Sequence, residues 1–148
     1  MIAMPPLPTA VLGERLMTLA AELNQYTDEP GRLTRLYLSP AHRAAADAVR
    51  RMMEAAGMTA HIDAAGTVVG RYEGIEPNAP ALLIGSHIDT VVDAGSYDGM
   101  LGVLSGIIAV EELARRGERL PFAIEVLAFG DEENVRFPTN FSTSQAIA

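Results

Sequence analysis

The feature that most restricts the fold is a strand, a helix and a second strand that follow one another between residues 81 and 129. ALLIGS (81–86) is an apolar run of strand length, residues 98–116 have helical periodicity and end before Gly117, and FAIEVLAF (122–129) is again strand-like. Two strands joined by a helix of this length pair in parallel. The unit predicts an α/β fold with a mainly parallel sheet and flanking helices.

The segments before this unit predict two helices and two short strands. Residues 10–26 carry apolar side chains at helical spacing, and Ser39–Pro40 is a typical start for a second helix that ends at Gly57. TAHID and TVVGRYEG flank a turn and predict a pair of strands. A further helix is expected to begin within PTNFSTSQAIA. A chain of 148 residues can bury one ordinary core, so we expect a single domain.

The composition disfavours several classes of protein. A net charge of -8, with eleven dispersed basic residues, argues against binding to nucleic acid or to an anionic membrane. The chain has no cysteine, so a metal ion would have to be held by histidine and carboxylates. The longest apolar run, residues 100–110, is too short to cross a bilayer, and the start of the chain does not read as a secretory signal, so we expect a cytoplasmic protein. Serine-hydrolase, dinucleotide-binding and P-loop motifs are absent.

Acidic and imidazole side chains follow both strands of the parallel unit and begin the helix between them. In open parallel sheets, ligands bind outside the carboxyl ends of the strands, where these residues fall. The set consists of His87, Asp89, Asp98, Asp131, Glu132 and Glu133. Because three separate segments deliver imidazole and carboxylates to one edge, the sequence predicts a site for a divalent ion such as zinc or manganese.

Each of these segments also has a simpler explanation. His87 and Asp89 are two residues apart, which suits a metal ligand and the carboxylate that orients it, or a hydrogen-bonded pair in a loop. Asp98 precedes a helix and is a favourable N-cap residue. The acidic run 131–133 is typical of a solvated turn. The convergence of all three segments on one edge favours the metal site.

Three motifs resemble those of a known enzyme family. GSHIDTV, YDGMLGVLSG and FGDEENVRF are similar, in this order, to the signatures of the M20-type co-catalytic metallohydrolases, in the branch of allantoate amidohydrolases and N-carbamoyl-L-amino-acid hydrolases. LTRLYLS, EAAGM and DAAGTVVGR resemble the upstream part of that branch, so the similarity extends from about Leu33 onward. The resemblance implies the amino-terminal part of a zinc-aminopeptidase-like catalytic domain, which hydrolyses a ureido or amide C–N bond of a small molecule.

The resemblance also implies a role for individual residues. His87 would bind one of two divalent metal ions, zinc or manganese, and Asp98 would bridge the two. Glu133 would bind the second ion, Glu132 would act as the general base, and Asp89 would orient His87. No substrate-binding residue is assigned.

The chain departs from the family pattern at several positions. Asn134 stands where the family usually has glycine, Thr143–Gln145 where it has Gly-Ser-Arg, and Thr67 where it has asparagine. These changes leave the inferred ligands intact and concern substrate identity. His42 and His61 are expected to be surface or packing residues.

Family members are also much longer than this chain. They contain a lid and dimerisation domain, and each metal takes a further histidine from segments that would lie beyond Ala148. We therefore expect residues 1–148 to be a single incomplete catalytic domain that binds metal weakly and is inactive alone, with a homodimer for the complete protein.

Two alternatives remain at this point. The resemblance favours hydrolysis of allantoate or an N-carbamoyl-L-amino acid, and the alternatives are an M20-type peptidase or aminoacylase and a non-catalytic interaction module. In the second case, an incomplete sheet would expose an apolar edge that favours dimerisation or aggregation.

Overall fold

A computed structural model describes residues 4–138 and 141–147. Within these ranges, every helix is too short or too polar to span a lipid bilayer. The elements in chain order are α1 (Thr9–Leu23), α2 (Pro40–Ala55), β1 (Thr59–Ile62), β2 (Val68–Tyr72), β3 (Ala81–His87), α3 (Met100–Arg116), β4 (Ala123–Phe129) and α4 (Ser142–Gln145).

The helices form where the sequence pattern predicts them. The hydroxyl of Ser39 accepts a hydrogen bond from the amide of His42 at 3.0 Å, and Pro40 occupies the first turn of α2, as expected for a capped helix. α3 ends at Gly117, which takes a left-handed conformation at φ 68°. The helix that was expected near the end of the sequence is the single turn α4.

The sheet has the order β1-β2-β4-β3. β3 and β4 pair in parallel, as predicted, whereas β1 with β2 and β2 with β4 pair antiparallel. The α/β class is confirmed, but the expected mainly parallel sheet is corrected to a mixed one, since two of its three pairings in the described residues are antiparallel. β1 and β2 are joined by a tight turn, which permits only antiparallel pairing. The sequence of the β3–β4 unit does not indicate in which direction β2 runs beside β4.

The core lies between one face of the sheet and the helices. α2 packs on β1 and β2, α3 packs on β3 and β4, and α1 packs mainly on α3. Gly70 faces Met53 of α2, while its cross-strand neighbour Val126 faces Gly106 of α3, so both helices cover the same face. The opposite face carries an ion pair between Arg71 and Glu125 at 2.7 Å.

The register of the parallel strands sets the position of the polar segments. His87 pairs with Phe129, so β3 and β4 end at the same level, and the amide of Ile88 continues the ladder to the carbonyl of Phe129 at 2.8 Å. The first turn of α3 lies directly against β3, because a Cβ at Gly102 would be only 2.6 Å from the Cβ of Ser86. The ends of both strands and the start of α3 therefore share one edge of the sheet.

Candidate metal centre

Three side chains from two strand ends meet at this edge. His87 is the last residue of β3, and Glu132 and Glu133 follow β4. Each offers one ligand atom, and these atoms all lie within 4.8 Å of one another. We call these three residues the ligand cluster. The side chain of His87 is 12% exposed and that of Glu132 is 44% exposed, so the imidazole lies deep while a carboxylate faces solvent.

Asp98 lies beside the ligand cluster and outside the group of three. Its Oδ1 atom is 3.9 Å from Nε2 of His87, and its side chain is 53% exposed. The alternative explanation of Asp98 as a helix cap is not supported, since the N-cap of α3 is Gly99 and no side chain caps that helix. The Asp98 carboxylate is thus placed toward the imidazole.

Asp89 is buried and connects the two strand ends. Nδ1 of His87 lies 3.0 Å from the main-chain oxygen of Asp89 and 3.5 Å from its Oδ1 atom. The Oδ2 atom of Asp89 accepts a hydrogen bond from the amide of Glu133 at 3.1 Å. A proton held on Nδ1 by these acceptors leaves Nε2 directed toward the carboxylates.

The charges at this edge perturb one another. Burial disfavours the protonated form of His87, but hydrogen bonds to Asp89 and the charges of Asp89 and Glu132 outweigh it and raise the pKa of His87 to about 9. Burial, followed by the nearby charges of Asp98 and Glu132, raises the pKa of Glu133. For Asp89, burial is opposed by hydrogen bonds from His87 and from main-chain amides, and its pKa is lowered. The centre therefore favours a positive charge among its carboxylates.

The loop after β4 holds its glutamates through an unusual backbone. Asp131 and Asn134 have φ values of 59° and 54°, in the left-handed region. Asparagine tolerates this conformation better than most residues, which accounts for Asn134 at a position where the family usually has glycine. Asp131 is buried and accepts a hydrogen bond from the hydroxyl of Ser142 at 2.7 Å, so it ties the loop to α4 and does not join the ligand cluster.

Comparison with known proteins identifies the relatives of this chain. No protein-family model matches it. It is 47% identical over 140 residues to allantoate deiminase 1 of Glycine max, covering 93% of this chain and 29% of that protein. It is 41% identical over 139 residues to the N-carbamoyl-L-amino acid amidohydrolase of Geobacillus stearothermophilus, covering 93% of this chain and 34% of that protein. The chain is a homologue of these amidohydrolases.

A solved structure agrees with this relationship. A hydantoinase/carbamoylase family amidase from Burkholderia ambifaria superimposes with a TM-score of 0.83 at 33% identity, covering 89% of this chain and 33% of that one. The resemblance inferred from the three motifs is confirmed. The chain spans about a third of the length of the amidohydrolases it matches.

The other two histidines of this amidohydrolase homologue lie away from the ligand cluster. His42 is buried on α2, where its ring packs edge-on against Tyr37 with 5.4 Å between centroids, and burial lowers its pKa to about 4. His61 is exposed on β1. The prediction that they are packing or surface residues is confirmed.

Two further residues shape the centre although the sequence analysis gave neither of them a role. Gly99 has a φ of 67°, and a Cβ there would lie 2.5 Å from the imidazole of His87, so the ring occupies the space that a side chain would need. Arg35 belongs to a segment that reads only as a connector, yet it is fully buried and hydrogen-bonded to Ile88, next to His87. The contacts of Gly99 with His87 and of Arg35 with Ile88 join segments that are separate in the sequence, so the sequence alone does not reveal them.

An open cavity of about 290 Å³ borders the ligand cluster. Ser86 and Phe129 from the strands and Thr143 and Ser144 from α4 form part of its lining, together with His87 and Glu132. Its size is at the lower end of the range of small-molecule sites. The cavity adjoins the position where Thr143–Gln145 departs from the family pattern.

Proposed function

We propose that the protein hydrolyses a ureido or amide C–N bond with the help of two divalent metal ions, most specifically that of allantoate or an N-carbamoyl-L-amino acid. The observation that carries the proposal is the ligand cluster, in which His87, Glu132 and Glu133 meet within 4.8 Å in a homologue of amidohydrolases. Imidazole and carboxylates suit zinc and manganese. The peptidase and interaction-module alternatives are not favoured by these relatives.

The proposed metal ligands are His87 and Glu133 of the ligand cluster, together with Asp98 beside it. The donor set fits a cation on physical grounds. Hydrogen bonds to Asp89 and the charges of Asp89 and Glu132 raise the pKa of His87 against the effect of burial, and burial followed by the charge of Asp98 raises the pKa of Glu133. Bound divalent ions supply Lewis acidity, which acidifies an attacking water and polarises the carbonyl of the substrate. Asp89 holds the imidazole through Nδ1, so that Nε2 is available as the ligand atom.

Glu132 is the proposed general base. Its carboxylate is partly exposed, and its Oε2 atom lies 3.7 Å from Nε2 of His87. The carboxylate takes a proton from the attacking water and delivers it to the leaving nitrogen as the C–N bond breaks. Hydrolysis of one C–N bond of a ureido group in this way gives a free amine and carbamic acid, and the carbamic acid then breaks down to ammonia and carbon dioxide.

We further propose that residues 1–148 form an incomplete catalytic domain. The chain spans about 30% of the length of its relatives, and His42 and His61 lie outside the ligand cluster, so each metal needs a further ligand from elsewhere. The isolated chain is then inactive, and the complete protein is a cytoplasmic homodimer with a lid domain.

A chimera tests the reaction. This chain replaces the matching 139 residues of the Geobacillus stearothermophilus homologue, and ammonia release is measured with allantoate, N-carbamoyl amino acids, dipeptides and acylated amino acids in the presence of Mn²⁺. We expect ammonia from ureido substrates and a loss of kcat of at least about 100-fold in Glu132→Gln. Release of amino acids from dipeptides or acylated substrates, without ammonia from ureido compounds, would support a peptidase or aminoacylase.

Calorimetry tests metal binding by the chain itself. We expect weak binding of Mn²⁺ or Zn²⁺ that is lost in His87→Ala and Glu133→Ala. His61→Ala is the matched control, because His61 is exposed and outside the ligand cluster. Equal heats for all four proteins would favour the non-catalytic module.

A further inference from the structure

Arg35 is a buried cation whose side chain bonds mainly to the backbone. It is 0% exposed, its Nε donates to the carbonyl of Ile88 at 2.6 Å, and its Nη1 donates to the carbonyls of Leu23 and Tyr26 at 2.9 Å each. Burying a guanidinium costs free energy unless its donors are satisfied. Here the compensation comes from main-chain oxygens that belong to two different segments.

The backbone around Arg35 holds the segment that follows β3. The amide of Arg35 donates to the hydroxyl of Thr90 at 2.8 Å, and the amide of Thr90 donates back to the carbonyl of Arg35 at 3.0 Å. Nearby, the amide of Asp93 donates to the hydroxyl of Thr34 at 3.1 Å. Asp89 lies between Ile88 and Thr90, so Arg35 forms hydrogen bonds to the residues on both sides of Asp89.

The same guanidinium reaches the start of α3. Its Nη2 lies against the sulfur of Met100, which is the first residue of α3 and two residues after Asp98. One side chain thus spans the segment after β3 and the beginning of α3. These two segments deliver His87, Asp89 and Asp98 to the centre.

We propose that Arg35 is a positioning residue, which fixes the His87–Asp89 segment against the start of α3 and so sets the geometry of the ligand cluster. It acts through Asp89, whose main-chain oxygen meets Nδ1 of His87 and whose carboxylate accepts the amide hydrogen of Glu133. The inference rests on the proposed function only where the test measures metal binding. The other measurement, hydrogen exchange in the metal-free chain, does not depend on the proposed function.

The metal-free readout is the amide of Glu133, followed by nuclear magnetic resonance. In Arg35→Lys the charge remains but the forked donors are lost, and in Thr90→Val the acceptor for the Arg35 amide is lost while the volume is kept. We expect hydrogen exchange of the Glu133 amide to accelerate at least about tenfold in both variants, because Asp89 is no longer held in place. Thr90→Ser, which retains the hydroxyl, restores wild-type exchange.

Val49→Ala tests for a purely structural role, because it is a fully buried change on α2 that lowers the melting temperature and lies on a different element from Arg35 and Thr90. The variants are compared at temperatures equally far below their melting temperatures. If the Glu133 amide then exchanges as fast in Val49→Ala as in the Arg35 and Thr90 variants, the proposal is overturned. So would unchanged exchange and unchanged His87 imidazole resonances in Arg35→Lys and Thr90→Val.

The second readout is Mn²⁺ affinity, for which we expect the dissociation constant to rise about 10-fold to 100-fold in Arg35→Lys and to be unchanged in Thr90→Ser. Wild-type affinity in Arg35→Lys would contradict the positioning role. If the wild-type chain binds no Mn²⁺, the proposed metal function fails, whereas the Glu133 amide still decides the role of Arg35.

Discussion

Asp89 serves two acceptor functions that only a carboxylate can combine. It faces the ring nitrogen of His87 on one side and the amide of Glu133 on the other, and both of these partners are donors. An asparagine has one oxygen and one NH₂ group, so at least one of the two contacts would become donor against donor. The orientation of His87 and the position of Glu133 are thereby coupled through one side chain.

We expect Asp89→Asn to raise the dissociation constant for Mn²⁺ by about 10-fold to 100-fold, since it removes the support of a metal-binding imidazole. The same change lowers the pKa of His87 toward its ordinary value, because the charge of Asp89 helps to raise it. Calorimetry and a resonance titration of His87 measure these effects. Asp93→Asn is the control, as Asp93 is exposed and its left-handed backbone suits asparagine. Unchanged affinity in Asp89→Asn would contradict the coupling.

Gly99 leads to a second prediction at the residue scale. A methyl group at this position would overlap the ring of His87 and would also sit on a left-handed backbone. We expect Gly99→Ala to destabilise the chain by about 1–3 kcal/mol and to weaken Mn²⁺ binding at least about tenfold.

The matched control is Gly13→Ala in the exposed part of α1, where an added Cβ meets nothing within 4 Å. It is expected to stabilise the chain by about 0.5–1 kcal/mol, because alanine favours the helix. Denaturant unfolding and calorimetry measure both variants. If Gly99→Ala behaves like Gly13→Ala, the packing of His87 against Gly99 does not restrain the imidazole.

At the scale of elements, periodicity predicted where helices and strands lie but not how the strands pair. α2, β3, α3 and β4 fall within two residues of their predicted bounds, since capping and apolar spacing are local properties. The convergence of His87 and the two glutamates followed from the parallel pairing of β3 with β4. The antiparallel place of β2 beside β4 is set by tertiary packing, which the pattern of either strand alone does not contain.

β3 provides the prediction at this scale. Its apolar sequence resembles that of a central strand, yet it lies at an edge of the described sheet, and Leu82 and Leu83 are about half exposed. We expect the isolated chain to self-associate through this edge. Leu83→Lys should shift it toward the monomer in size-exclusion chromatography with light scattering, because Leu83 is paired in register with Glu125, which can accept the new charge.

Met17→Lys is the control for this experiment, since Met17 is equally exposed but lies on α1, away from the sheet. A loss of self-association in Met17→Lys as large as that in Leu83→Lys would show that the effect comes from added charge. A wild-type chain that stays monomeric at high concentration would contradict the role of the β3 edge.

At the scale of the whole molecule, two histidines make stability depend on pH in opposite directions. The pKa of His87 is raised to about 9 in the folded chain, so the stability it contributes is complete below about pH 6.5 and is lost as the pH rises through 9. Burial lowers the pKa of His42 to about 4, so its contribution is complete above about pH 6.5 and is lost as the pH falls. Both contributions to stability are therefore nearly complete at about pH 6.5.

We therefore expect the metal-free chain to be most stable near pH 6.5. The free energy of unfolding should fall by about 2 kcal/mol toward pH 9.5, after allowance for solvent screening at the partly exposed centre, and by about 3 kcal/mol toward pH 4. The chain has no lysine or cysteine, so few other side chains titrate on the alkaline side. Urea unfolding at a series of pH values measures both slopes. His87→Gln should flatten only the alkaline slope, and His42→Gln should flatten only the acid slope. An alkaline slope that persists in His87→Gln would show that the carboxylates of the centre do not hold a proton on that imidazole.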